Sequence, residues 1–418
     1  MNCIKNNLGF SFDYIKAFLK WIVIAIFLGI IGGLIGSAFH FSIDYVTHLS
    51  QNNTWFVFLL PAGGILIAFL YRLFRSKGHI DTNLVLESVR ENKRVPLVMV
   101  PLIFVSTVIT HMLGGSAGRE GAALQLGGSI GYNFGKVLKL NDNDMHIIVM
   151  SGMSSVFAAL FGTPLTAAIF SLEVISVGVF NYAGLLPCII ASITAYQIAM
   201  LFGISPVYFD SVLFGAITLQ TIVRVIILAV LCAVVSIIFC TSIKMCEVYT
   251  KKLVKNIYLR AALGGIIIVL LTLILRTYDY NGAGMEVIGR AISGEARPEA
   301  FVLKIVFTAI TISAGFKGGE IVPAFFIGST FGCVVGSLLG LDAGFGAAIG
   351  FVALFCGVVN CPVASIILSI EVFGSQGLLF FSVVCGVSYM MSGYFGLYKS
   401  QKIVYSKLNA EYIDINAK

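Results

Sequence analysis

Charge is scarce in this chain. Only 11% of its 418 residues are Asp, Glu, Lys or Arg, whereas a soluble domain carries about 25%, so a water-facing surface for the whole chain is excluded. The nine cysteines (Cys3, Cys188, Cys232, Cys240, Cys246, Cys333, Cys356, Cys361, Cys385) include no CxxC and mostly sit singly in apolar segments. That pattern reads as small buried hydrophobes rather than thiolate ligands. The five histidines form no HExxH or other metal spacing. Around Gly135-Lys136 the first glycine and the following Ser/Thr of a Walker A loop are both missing. With no metal cluster, nucleophile triad or phosphate loop, an integral-membrane enzyme is disfavoured and no cofactor is expected. Polar stretches are too short to form an extramembrane domain, which leaves a receptor or scaffold nothing to display. The net charge of +7 fits basic cytoplasmic loops, and nucleic-acid binding is not expected.

What is abundant is apolar length. Hydrophobic residues make up 58% of the chain and the mean hydropathy is +0.97. The runs are continuously apolar rather than alternating in period 2, so the spans are helices and not barrel strands. Apolar blocks fall near 18–42, 55–74, 96–113, 121–139, 146–160, 164–178, 182–203, 212–240, 260–276, 301–315, 321–340, 345–359, 362–374 and 377–398. Several are only about 12–16 residues, too short to cross alone, and broken helices around a midplane site are expected. The first run, Trp21–Phe39, follows Lys5, Lys16 and Lys20, is too long for a signal peptide and is taken as a spanning helix. Basic clusters at the N-terminus, Arg72–Lys77, Lys244–Arg260 and Lys399–Lys407 put both termini in the cytoplasm. Among the 44 glycines, Gly29/Gly33 and Gly32/Gly36 have the small-xxx-small spacing of close helix contacts.

The chain repeats itself. Gly114–Gly131 (GGSAGREGAALQLGGSIG) and Gly318–Gly332 (GGEIVPAFFIGSTFG) share a layout, with Gly118, Glu120, Gly128 and Ser129 matching Gly318, Glu320, Gly328 and Ser329 at an offset of 200. Thr163–Val174 parallels Cys361–Val372 at an offset of 198, with Pro, Ile, Ser, Glu and Val in common. Order and near-constant offset point to duplication. The expected organisation is a first half over 1–205, a second over 206–400, and a short cytoplasmic tail over 401–418 without a regulatory domain.

Each glycine-rich stretch reads as a loop feeding a helix N-terminus. Glycine lets the backbone approach a ligand, and free N–H groups with the helix dipole make an anion site. A carboxylate there competes with a bound anion for the same donors. Protonating Glu120 removes its claim, which links anion and proton occupancy. An ionisable residue between apolar spans is functional by default, so Glu120 is the first candidate for gating and proton transfer. Glu320 is the second, followed by Pro323 where a missing N–H does no harm. Glu173 and Glu371, at equivalent ends of the two Pro-led helices, suggest a shared structural task such as capping loop amides, with proton transfer as the alternative.

These residues resemble the CLC family of anion channels and proton-coupled antiporters. GREGA (118–122) resembles its gating-glutamate motif GREGP, and GGEIVP (318–323) stands in the place of GxFxP. LFGTPLTAAIFSLEV (160–174) resembles its APLAG-type helix, and GLYKS (396–400) resembles the segment that carries its central tyrosine. The resemblance implies an all-α polytopic membrane protein, a CLC-type inverted-repeat bundle of tilted and broken helices. It further implies a homodimer in the lipid bilayer, each subunit with its own pore. By this resemblance Gly118, Arg119, Gly121, Gly319, Ile321 and Val322 line the anion site, with Tyr398 as phenolic donor and Tyr394 or Tyr405 as register alternatives. Arg119 is expected mainly to brace its loop.

The departures from that family pattern are specific. Ile321 replaces the phenylalanine of GxFxP and a glutamate precedes it. The serine-bearing GSGIP segment has no match; the corresponding region is GHIDTNLVLESV (78–89), with Asp81, Thr82 or Asn83 nearest the filter. The internal proton-handling glutamate falls at Val174. Together these resemble the fluoride/proton antiporter branch, and a fluoride exporter of the bacterial inner membrane is the expected function. A chloride-selective antiporter or passive anion channel is the alternative.

Overall fold

The computed structural model describes residues 2–74, 81–210 and 212–418, with side chains described from residue 14 onward. Of the expected filter segment, Gly78, His79 and Ile80 lie outside the described residues. The first series of helices comprises α1 (Asn2–Asn52), α2 (Leu60–Leu73), α3 (Thr82–Glu91), α4 (Met99–Met112), α5 (Glu120–Val137), α6 (Asp142–Phe161), α7 (Pro164–Glu173) and α8 (Leu185–Leu201). The second comprises α9 (Leu219–Leu253), α10 (Ile257–Leu275), α11 (Met285–Ile292), α12 (Ala300–Ala314), α13 (Ile321–Leu338), α14 (Ala343–Val359), α15 (Pro362–Phe373) and α16 (Leu378–Met391). By length and composition, seven helical segments among the described residues can cross a membrane, and shorter apolar helices pack between them. The protein is a mostly helical, multi-pass membrane protein, as its composition requires.

Local chemistry sets the helix ends, and the two series use matching devices. Asn141 and Asp342 cap α6 and α14 by accepting the amides of Asp144 and Phe345. Those helices stop at left-handed residues, Gly162 (φ 75°) and Asn360 (φ 56°). Proline opens α7 and α15. The helix α9 runs past the apolar block expected to end near 240, and its last turn carries Lys251 and Lys252.

The duplication is visible in three dimensions, but its register differs from the sequence match by one residue. Asn141 corresponds to Asp342 and the start of α5 at Glu120 to the start of α13 at Ile321, an offset of 201 rather than 200. The contact glycines of α5 and α13 agree. A side chain on Gly127 would strike the Gly152 carbonyl, just as one on Gly328 would strike that of Gly350. Gly131 and Gly332 play the same paired role. The offset has become 198 by their partners Gly152 and Gly350 and stays so through Gly162/Asn360 and Pro164/Pro362. Between the series, Phe161 stacks on Phe325 at 5.6 Å, and within the second series Phe325 stacks on Phe351 at 3.9 Å.

The tail, expected as a short polar appendage to an all-helical bundle, is folded. A small sheet in the order β1 (Ser176–Val177), β2 (Lys402–Tyr405), β3 (Tyr412–Asn416) joins it to the segment after α7. β1 runs parallel to β2, and β2 runs antiparallel to β3. Ile403, Val404, Tyr405, Tyr412, Ile413 and Ile415 supply β-branched and aromatic residues that suit a half-buried ribbon. Ile403 is fully buried beside Val177 and Ala417.

Candidate functional site

The two glycine-rich loops meet at the centre. Gly118 N–H donates to the Gly319 carbonyl at 2.7 Å, and Gly319 N–H returns a bond to the Gly118 carbonyl at 2.6 Å. This pair needs glycine on both sides. A Cβ on Gly118 would lie 2.9 Å from Cβ of Val322, and one on Gly121 would lie 2.8 Å from Cα of Gly319. The pairing sets the N-terminus of α5 beside that of α13. Ser116 steadies the first loop through Thr311 (3.2 Å) and Thr308 (3.0 Å), and Asn281 Nδ2 donates to the Gly114 carbonyl at 2.9 Å.

Two carboxylates sit at this junction in non-equivalent places. Glu120 is the first residue of α5 and only 1% exposed; its Oε2 accepts the Arg119 amide at 3.1 Å. Arg119 Nε lies 3.6 Å from Oε1, so the guanidinium braces the carboxylate electrostatically. Glu320 is the N-cap residue of α13, one position earlier in the helix frame, and is partly exposed. One of its oxygens comes within 3.5 Å of a Cβ built on Gly121. Its charged neighbours are Asp81, Lys317 and Glu247. The structural equivalent of Glu120 is therefore Ile321, which is fully buried, as is Val322.

The remaining expected residues approach from α3 and from the loop after α16. Asp81 is the N-cap of α3, accepting the Leu84 amide at 3.2 Å. Thr82 is buried and accepts a hydrogen bond from Gln125 of α5 at 3.0 Å, which docks α3 onto the Glu120 helix. The carboxamide of Asn83 is occupied on both sides: its oxygen accepts the Ser400 amide at 2.9 Å and its nitrogen donates to Asp81 at 3.2 Å. Asn83 thus ties α3 to the tyrosine loop. Ser400 Oγ adds a 2.5 Å bond to Glu87. Burial opposes ionisation of Glu87, but hydrogen bonds from Lys93 and Ser400 with the charges of Lys93 and Arg90 outweigh it and hold its pKa below the ordinary 4.5.

Among the three candidate tyrosines the structure discriminates. Tyr405 is 47% exposed on β2, and Tyr394 bonds Ser406 at 2.9 Å. Tyr398 is 2% exposed, its hydroxyl is buried without a protein partner among the described residues, and it lies within electrostatic range of Glu320 and Glu120. An orphaned hydroxyl in such a place calls for a ligand or water.

Glu173 and Glu371 carry out reciprocal capping. Glu173, the last residue of α7, accepts the amides of Val363 (3.1 Å) and Ala364 (2.8 Å) at the start of α15. Glu371 of α15 accepts those of Leu165 (2.9 Å) and Thr166 (2.8 Å) at the start of α7. Val174 is fully buried.

Sequence reading passed over Lys304. It is wholly buried in α12, donates to the carbonyls of Tyr280 (3.1 Å) and Gly282 (2.8 Å), and lies over the Phe326 ring. Its signal was available as a lone charge inside the 301–315 apolar block. Eight cysteines are described, all free thiols and all but Cys246 buried.

The comparisons with known proteins agree with this architecture. The family model described as "Voltage gated chloride channel" matches residues 63–393. A "Chloride/fluoride channel protein" of Pseudomonas syringae pv. tomato is 32% identical over 402 residues, covering 94% of this chain and 89% of that protein. Among solved structures, that of a CLC-type fluoride/proton antiporter superposes with a TM-score of 0.89 at 30% identity, covering 92% of this chain and 98% of the other. A slow cyanobacterial Cl⁻/H⁺ antiporter superposes with a TM-score of 0.76 at 21% identity, covering 89% and 94%, and shares the fold. The chain belongs to the voltage-gated chloride channel family, the CLC anion channels and transporters.

Proposed function

We propose that this protein is a fluoride/proton antiporter that exports fluoride across the bacterial inner membrane at the expense of the proton gradient. The observation that carries the reading is the Gly118–Gly319 pair, which aligns two helix N-termini and sets a carboxylate at each. Helix N-termini favour an anion through free amides and dipole. Charged Glu120 takes up such amides itself, and on protonation it releases them, so a proton and an anion exchange for one place. Fluoride suits the remaining donors. It is a small, strong hydrogen-bond acceptor whose conjugate acid is far weaker than HCl, and protonated Glu120 or Glu320 can donate to it directly. The buried, unpartnered Tyr398 hydroxyl supports a third donor, while Ile321 and Val322 supply bulk that shapes the filter. The likeness to a relative named for chloride and fluoride, and to a fluoride/proton antiporter, supports the choice of substrate.

In this reading Arg119 holds the loop, Thr82 docks α3, and the amides of Gly118, Gly121 and Gly319 belong to the anion site. Two subunits associate as a homodimer, and both termini face the cytoplasm.

The test is efflux from proteoliposomes followed with fluoride and chloride electrodes and a pH dye. Fluoride efflux with proton counterflow, and chloride flux far smaller, is expected. Equal chloride flux would defeat the selectivity, and fluoride flux without proton movement would make the protein a channel. Glu120→Gln should abolish or uncouple exchange; normal coupled exchange in that variant would remove Glu120 from the mechanism.

A further inference from the structure

Beyond Tyr398 the chain enters a buried relay of carboxamides that ends on a lysine of the tail. Gln401 N–H closes a turn on the Tyr398 carbonyl at 3.0 Å. The Gln401 side chain is fully buried, and its nitrogen donates to the carbonyls of Val174 (3.1 Å) and Val359 (2.8 Å), one from each repeat. Its oxygen accepts from Asn360 Nδ2 at 3.1 Å, which also donates to the Phe395 carbonyl at 2.9 Å. The Asn360 oxygen in turn accepts Lys407 Nζ at 2.5 Å.

Lys407 leaves β2 and points back into the second repeat. Its ammonium donates also to the Tyr389 carbonyl (2.8 Å) and Ser392 Oγ (3.1 Å), and it lies 4.3 Å from the Tyr389 ring centroid. None of these partners is a carboxylate. A desolvated ammonium is costly unless its hydrogens are satisfied, and a methionine would fill similar volume without that demand.

The ammonium adds direction at the Asn360 oxygen, in the same sense as the acceptor-only carbonyls of Phe395, Val174 and Val359. A carboxamide can present either its oxygen or its nitrogen to a neighbour, whereas an ammonium can only donate. With Lys407 on the Asn360 oxygen, Asn360 nitrogen must face Gln401 oxygen. Gln401 nitrogen must then face the Val174 and Val359 carbonyls. The loop 398–401 is thereby fixed between the two repeats.

The geometry points to Lys407 as a positioning residue of the anion site: through Asn360 and Gln401 it sets the orientation of the loop that presents the Tyr398 hydroxyl. The inference rests on the reading of Tyr398 as an anion donor. It makes the folded tail a working part of the transport site.

The test is a double-mutant cycle in proteoliposomes with Lys407→Met, Tyr398→Phe and both together, reading KM for fluoride and turnover separately. Each single variant is expected to raise KM about tenfold, the loss of one strong hydrogen bond, with turnover changed less. The double variant should be no worse than Y398F alone, because the two act on one contact. Lys407→Arg, which keeps a donor-only cation, should restore KM towards wild type. If Lys407→Met does not purify as a monodisperse protein, Asn360→Asp takes its place. That substitution keeps the Lys407 contact but removes the donor to Gln401, and the same rise in KM is expected. An unchanged KM in the Lys407 or Asn360 variant beside an impaired Y398F would overturn the positioning role and leave the tyrosine reading intact. Multiplying effects in the double variant would overturn it too. A wild-type Y398F would refute the tyrosine reading, and the positioning role with it.

Discussion

Replacing Glu371 with glutamine removes a carboxylate from the N-terminus of α7 while keeping its size, and the structure sets the scale of the effect. Two backbone amides, Leu165 at 2.9 Å and Thr166 at 2.8 Å, donate to the two oxygens of Glu371. Glutamine has one acceptor oxygen, so one amide is left facing an NH₂ donor. Loss of a charge-assisted hydrogen bond is worth about 1.5–3 kcal/mol, and the helix-terminus charge adds about 0.3–1 more. A destabilisation of about 2–4 kcal/mol follows from those two terms. Glu173→Gln should behave alike at the start of α15, where one of the Val363 and Ala364 amides loses its acceptor. Since each carboxylate caps the helix that carries the other, the double variant should depart from additivity. The measurement is heat-induced loss of the monodisperse peak in detergent, where each single variant should fall several degrees below wild type. Wild-type melting in both variants together with lost proton-coupled flux would refute capping and make these residues proton carriers instead.

Gly319→Ala should abolish transport in a protein that still purifies, because the new Cβ lies 2.9 Å from Gly121 Cα and neither backbone can yield without breaking the bonds to Gly118; wild-type efflux would refute the tight pairing. Glu320→Gln is expected to lower turnover with the purified assembly intact, and an unaffected rate would return Glu320 to a structural part. Glu87 has a depressed pKa, so the stability from its bonds to Lys93 and Ser400 is present above the ordinary 4.5 and is lost as pH falls through the lower folded value. Melting curves taken between about pH 6 and about pH 3 should show this acid loss in wild type and a flatter response in Glu87→Gln; identical profiles would exclude the contact.

The membrane class and the two loops were legible in the chain because their causes are local. Continuous apolar runs force helices in lipid whatever surrounds them, and a carboxylate between glycines in such a run is conspicuous wherever it folds. The duplication was legible too, though its register was not. Identical letters favoured an offset of 200, while the contact glycines of α5 and α13, Gly127 with Gly328 and Gly131 with Gly332, follow 201. Letters record ancestry and composition; helix packing selects the residues that let backbones touch. For the same reason Glu120 and Glu320 looked equivalent in sequence and occupy different helix positions in the fold.

Everything that depended on distant partners was left to the tertiary structure. Asn83, read with Asp81 and Thr82 as nearest the filter, gave no sign that its oxygen accepts the amide of Ser400, 317 positions away. Three tyrosines were open candidates until burial and partners separated Tyr398 from Tyr394 and Tyr405. The tail read as a short polar appendage because its strands need a third, β1, from the segment after α7. By itself, then, the sequence determined the solvent of this protein and the composition of its two glycine-rich, carboxylate-bearing loops, since each follows from neighbouring residues. Which donors converge on one place was decided only by folding, because a hydrogen bond between Gly118 and Gly319 is a relation between two segments that neither segment carries alone.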